Sequence, residues 1–190
     1  MYCIGIDEVG RGSLAGPMVV GAVSLLEKIP GITDSKKLSK IQRQLFDIEI
    51  KKRARYWSIG WVWPNEIDLY GLTKAEQIAI TRALTPINRH IDRILIDGNF
   101  NYLFNDSRVT TIINGDQIDP DISAASIIAK VTRDSFMSNI HYSFEEYQFN
   151  RNFGYGTKFH INAIERDSES TIHRALFLRK IKLKVLHNRS

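Results

Sequence analysis

Apolar residues along this chain change their period several times, and each change marks an element. Alternating or short β-branched runs over 2–7, 19–26, 56–63, 93–97 and 109–113 predict five strands, with Pro64 ending the third. Helical spacing predicts helices from a Ser39 cap to about Lys52, from Thr73 to about His90, and from Asp121 to about Ser138. Two more are expected near 159–166 and 172–186. The first half of the Asp121 helix is rich in small residues (Ser123, Ala124, Ala125, Ser126, Ala129), so it should pack directly against the sheet. No repeat, low-complexity tract or long linker interrupts the pattern. The expected fold is α/β, a mixed sheet flanked by helices with a small helical C-terminal part.

Length and composition narrow this picture without changing it. At 190 residues, one α/β domain with a sizeable core is the default. The longest uncharged stretch, Gly12 to Leu26, has 15 residues and contains Pro17, too short and broken to span a membrane. No basic segment precedes an apolar run at the N-terminus, so no secretory signal is visible. One cysteine, Cys3, excludes an internal disulfide, and a cytosolic protein is expected. Charge is uneven. From Ser170 onward there are six basic residues (Arg174, Arg179, Lys180, Lys182, Lys184, Arg189) and no acid, so the whole +5 surplus comes from the C-terminal end. Such a segment favours a polyanionic partner.

Candidate chemistry lies at the strand ends. Asp7 and Glu8 close the first strand, Asp97 closes 93–97, and Asp116 follows 109–113 across Asn114-Gly115. If these strands are neighbours, four carboxylates meet at one sheet edge and need cations between them. An all-oxygen set suits Mg²⁺ or Mn²⁺ better than zinc. A pair of such ions is suited to displacement at a phosphodiester. Asp7 and Glu8 point to opposite faces of a continuing strand, so sharing one site requires the strand to end or bulge at Glu8. The flexible Gly10-Arg11-Gly12 loop that follows joins close backbone approach to a guanidinium donor. Residues 10–15 also fit a G-x-G-x-x-A dinucleotide fingerprint, but Pro17 and the apolar run after it favour a strand where that fingerprint needs a helix.

Several long motifs occur in order: Asp7-Glu8-Val9-Gly10-Arg11-Gly12, Leu14-Ala15-Gly16-Pro17, Asp34-Ser35-Lys36-Lys37-Leu38 and Ile96-Asp97-Gly98-Asn99. Ile122 to Asp134, Gly154-Tyr155-Gly156-Thr157 and His173-Arg174 follow. Together they resemble bacterial ribonuclease HII, the type 2 ribonuclease H, from Asp7 to about Phe177. The resemblance implies a ribonuclease H-like fold, with residues 1–150 as catalytic domain and 151–190 as a basic helical part completing the substrate cleft. It implies Mg²⁺- or Mn²⁺-dependent cleavage of the RNA strand of RNA–DNA hybrids. It also implies incision 5′ of single ribonucleotides in duplex DNA, giving 3′-hydroxyl and 5′-phosphate ends. Asp7, Glu8, Asp97 and Asp116 carry over as the catalytic, metal-holding acids. Gly10, Arg11 and Gly12 carry over as contacts to the ribose 2′-hydroxyl and its phosphates, and Ser35 and Lys36 as backbone phosphate contacts. Tyr155 carries over as the ring stacked at the RNA-to-DNA step, and the basic C-terminal helix as a clamp on the duplex.

The chain departs from the family pattern at Ala175-Leu176, where a serine usually follows the His-Arg pair. Asp119 and Asp121 compete with Asp116 as fourth acid; the strand-end position favours Asp116, while Asp121 resembles a helix N-cap. The histidines His160, His173 and His187 show no metal-ligand spacing, and Asp134 reads as structural. A ribonuclease HIII-type enzyme is the near alternative, though that type carries an N-terminal substrate-binding domain and here the first strand begins at residue 2. A non-catalytic hybrid-binding module is the other, but it has no use for clustered acids. The expected partner is nucleic acid, with no membrane, and the expected state is a monomer.

Overall fold

A computed structural model provides the structure and describes residues 2–87 and 91–179. Its sheet has five strands: β1 (Cys3–Val9), β2 (Met18–Leu25), β3 (Ala54–Val62), β4 (Arg93–Asp97) and β5 (Val109–Ile112). They lie in the order β3-β2-β1-β4-β5. β1, β2 and β3 form an antiparallel meander, while β1–β4 and β4–β5 are parallel. β1 is therefore central, and its side chains alternate between two helical layers.

Ile4 and Ile6 face the layer formed by α2 (Pro64–Tyr70) and α3 (Leu72–Leu84), where Ile67, Ala79 and Ala83 are fully buried. Gly5 faces the other layer, α1 (Lys40–Arg53) and α5 (Pro120–Ile140). A methyl group at Gly5 would collide with the backbone of Asp121 and Ile122, so α5 lies directly on β1. Small residues on the helix and a glycine in the strand make this approach possible, as the sequence led us to expect. A further cluster beyond the sheet packs Met137 of α5 and Phe149 of α6 (Phe149–Asn152) against Ala163 and Ile164 of α7 (Lys158–Asp167).

Five expectations need correction. β1 neither ends nor bulges at Glu8: it continues to Val9, with Glu8 paired to Val20 and Val9 to Val19. Pro64, expected only to end a strand, is also the first residue of α2, where its missing N–H costs nothing. α3 stops at Leu84 because Pro86 cannot continue the hydrogen-bond ladder; 88–90 lie outside the described residues. The N-cap of α5 is Asp119, not Asp121: its carboxylate accepts the Asp121 and Ile122 N–H groups at 2.9 and 3.1 Å. The segment from 172 begins its helix only at 175, after a bridge pairing His173 with Ala15, and the expected stretch beyond 179 lies outside the described residues.

Candidate active site

Parallel pairing aligns the C-terminal ends of β1, β4 and β5. Ile6 is level with Ile96, and Asp97 with Ile112, so Asp7 and Asp97 emerge side by side. Beyond β5 the chain turns through Asn114, whose φ of 56° is left-handed, into the single-turn α4 (Gly115–Ile118) carrying Asp116. The Gly115 N–H donates to Asp97 Oδ1 at 2.7 Å, which fastens this turn to β4. One carboxylate oxygen from each of Asp7, Asp97 and Asp116 lies within 4.8 Å of the others.

Asp7 and Asp116 are buried, and both carboxyls are pushed above their ordinary range. Burial is the main cause, reinforced by Glu8 and Asp97 at Asp7, and by Asp97 at Asp116. Three converging oxygen donors that repel one another in a desolvated pocket fit a hard divalent cation such as Mg²⁺ or Mn²⁺. The rival acids stand elsewhere: Asp119 caps α5, and Asp121 accepts the Leu25 N–H at 2.8 Å.

Glu8 points to the α3 face, as strand alternation requires, and is not in that three-acid group. Burial and the charge of Glu76 push its carboxyl up to about 7. Glu76, on α3, is 2% exposed and is itself raised to about 7, burial outweighing the attraction of Arg11. The Arg11 guanidinium donates to both Glu76 and the Tyr102 hydroxyl. These residues line a hollow of about 390 Å³ that shares Glu8 and Asp97 with a second, of about 400 Å³.

The second hollow gathers Ser35, Lys36, Lys130 and Tyr155 beside Asp7. Ser35 is buried and its hydroxyl bonds that of Ser126 at 2.9 Å, tying its turn to α5. Lys36 is exposed, its N–H donating to the Asp34 carboxylate at 2.9 Å. Lys130 pairs with Asp134 at 2.9 Å and carries its ammonium 5.8 Å from the Tyr155 ring centre. The Arg133 guanidinium stands 5.3 Å from the same ring.

Gly10 has φ 86°, and a side chain there would meet Arg133. Gly12 is exposed, and its Cβ position faces open space. Beneath this loop two fully buried arginines donate mainly to carbonyls. Arg133 reaches Pro17, Ala15 and Phe153 as well as the Ser13 hydroxyl, at 2.8–3.1 Å; Arg174 reaches Gly16 and Arg11 at 2.8–3.0 Å. Arg174 is therefore a buried fastener and not part of a basic surface. Of the other basic residues in that run, Arg179 is exposed, while Lys180, Lys182, Lys184 and Arg189 lie outside the described residues. At the departure from the family pattern, the Ala175 and Leu176 N–H groups donate to the Asp68 carboxylate at 2.8 and 2.9 Å.

Glu76, Tyr102, Ser126 and Lys130 have no assigned role in the sequence reading. Lys130 stood within a recognised motif, two helical turns beyond Ser123. Glu76 gave no signal, because its partner Arg11 is 65 residues away.

The chain matches the family model for ribonuclease HII over residues 4–180. It is 45% identical over 182 residues to a ribonuclease HII from Ehrlichia ruminantium (strain Welgevonden), covering 92% of this chain and 84% of that one. The crystal structure of ribonuclease H2 from Pyrococcus horikoshii OT3 superposes with a TM-score of 0.79 at 25% identity, covering 97% of this chain and 98% of that one. Bst-RNase HIII in complex with Mn²⁺ shares the fold alone, with a TM-score of 0.75 at 19% identity over 100% of this chain and 71% of that one. Fold and site thus define a ribonuclease H-like enzyme, a metal-dependent endoribonuclease. Within that class the chain belongs to the ribonuclease HII family.

Proposed function

We propose that this enzyme hydrolyses the RNA strand of RNA–DNA hybrids and also incises duplex DNA 5′ of a single embedded ribonucleotide, leaving 3′-hydroxyl and 5′-phosphate ends. The observation that carries this reading is the meeting of Asp7, Asp97 and Asp116 oxygens within 4.8 Å, in a cleft that also holds Lys36, Lys130 and Tyr155. Two Mg²⁺ or Mn²⁺ ions bound there would supply an activated water and stabilise the leaving 3′-oxygen. Asp7, Asp97 and Asp116 hold the metal site, and Glu8 completes it from the α3 face.

Lys36 and Lys130 meet substrate phosphates, and the Ser35 turn holds Lys36 at the lip. The open space over Gly12 lets a ribose reach the Gly10-Arg11-Gly12 backbone, which reads its 2′-hydroxyl. Tyr155 lies flat against the following deoxyribose and marks the RNA-to-DNA step. We assign the enzyme to the cytosol as a monomer, with nucleic acid as its partner and ribonucleotide removal from DNA as its setting. Among the described residues no helix is long and apolar enough to cross a membrane.

Asp97→Asn tests the assignment. Cleavage of an RNA–DNA hybrid should fall by at least about 100-fold while hybrid affinity stays near that of the unaltered enzyme. Turnover close to wild type would show that the metal site lies elsewhere.

A further inference from the structure

Two buried imidazoles stand beside the cleft and take no part in the proposed reaction. His160, on α7, is 0% exposed and His173 is 6% exposed. Tyr147 meets His173 edge-on at 4.7 Å between ring centres, and Phe149 meets His160 at 5.4 Å. The two Nε2 atoms are 3.0 Å apart. Neutral imidazoles at that distance share one proton, and their outer nitrogens decide which ring supplies it.

The Ser170 N–H donates to His173 Nδ1 at 3.0 Å, so that nitrogen offers a lone pair and the proton of His173 sits on Nε2. His173 Nε2–H then donates to His160 Nε2. The proton of His160 is left on Nδ1, which donates to the Tyr155 carbonyl at 2.9 Å. The same carbonyl accepts the Thr157 N–H at 2.8 Å, so both of its lone pairs are engaged. The relay is directional, from the Ser170 amide to the Tyr155 peptide. Its starting end is anchored, because His173 bridges Ala15 in the loop that follows Gly10-Arg11-Gly12. Glu169 is the charged group facing His173, while Arg133 and Lys130 face the Tyr155 ring.

We propose that His160 is a positioning residue for Tyr155: its Nδ1–H, held in that tautomer by the link to His173, fixes the Tyr155 peptide and so the direction in which its ring enters the cleft. This rests on the reading of Tyr155 as the ring that marks the RNA-to-DNA step. Burial holds both imidazoles below their ordinary range, His173 at about 4, so the relay persists at neutral pH.

Two substitutions at one position separate positioning from packing. In His160→Asn the amide N–H₂ stands where Nδ1 stood and still reaches the Tyr155 carbonyl, but the link to His173 is cut. In His160→Gln the amide stands where Nε2 stood, keeping His173 and losing Tyr155. The readout is kcat/KM on a single-ribonucleotide duplex relative to a long RNA–DNA hybrid, with KM and kcat resolved and Tyr155→Ala as reference. His160→Gln should lower that ratio about 5- to 10-fold through KM, while His160→Asn stays within about 2-fold of wild type.

Equal losses in both variants, or none in His160→Gln, would overturn the proposal. An unchanged ratio in Tyr155→Ala would overturn it too, while leaving hydrolysis intact. A wild-type enzyme that cuts neither substrate would remove the proposed function along with it. Should the variants not fold, nitrogen NMR of the wild type decides: Nε2–H on His173 with Nδ1–H on His160 supports the relay, and any other tautomer pair refutes it.

Discussion

At the scale of single residues, the carboxylates of β1, β4 and α4 are desolvated and crowded together, a repulsion that a proton or a cation relieves. Burial and mutual repulsion raise Asp7 and Asp116, and Glu8 stands at about 7. Near pH 6 Glu8, at about 7, retains a proton that a bound divalent ion would displace. Calorimetric titration with Mg²⁺ or Mn²⁺ at pH 6, in two buffers of different ionisation enthalpy, should show roughly one or more protons released per protein. Heats that do not depend on the buffer would contradict this picture of the site. Asp7, Asp97 and Asp116 were legible because each stands where an apolar run meets a glycine or asparagine turn. Seeing that Asp116, and not Asp119 or Asp121, lies beside Asp7 and Asp97 took the structure, since all three precede or open the same helix. Glu76 was invisible: a lone acid on an amphipathic helix looks like a solvated residue until Arg11 is placed against it.

At the scale of elements, the sequence reading succeeded where the ends carry their own chemistry. α1 begins at a capping box between Ser39 and Gln42, and α7 at the Thr157 hydroxyl, which accepts the His160 N–H at 3.2 Å. α4 and α6 have four residues each, too few for a periodic signal, and the seven-residue α2 follows a proline that reads equally well as a strand stop. The histidine pair joining α7 to the segment after it has a consequence for stability. His173 titrates at about 4 in the folded chain, against an ordinary 6.5. Between those values an unfolded chain binds a proton that the folded pair refuses, so its contribution to stability is full above 6.5 and is lost as pH falls toward 4. The depression corresponds to about 3 kcal/mol. Raised carboxyls such as Asp121, at about 6, act in the opposite sense, so the prediction is a difference. Denaturant unfolding should show His173→Asn costing most at pH 7.5 and progressively less toward pH 4.5. A cost independent of pH would show that the buried pair is not held neutral.

For the whole molecule, sheet order was the missing step between motif and site. Three acids scattered over more than a hundred positions become neighbours because β1, β4 and β5 run parallel, with Asp7 level with the end of β4 and α4 following β5. Alternation along the uninterrupted β1 then divides the pair, sending Asp7 toward α5 and Glu8 toward α3. The cleft between these layers brings Lys130 and Tyr155 from the later part of the chain to the acids, and the buried Arg133 and Arg174 lock the Gly10–Gly12 loop to its support. Such long-range convergence has no local signature, which is why the motifs suggested it and the fold was needed to lay it out. The most direct test is incision of a DNA duplex carrying one ribonucleotide, with Mg²⁺, with Mn²⁺ and with a chelator, the ends mapped on a sequencing gel. Metal-dependent cutting on the 5′ side of that ribonucleotide, leaving a 3′-hydroxyl, is expected; cutting that survives the chelator, or falls on the 3′ side, would overturn the proposed function.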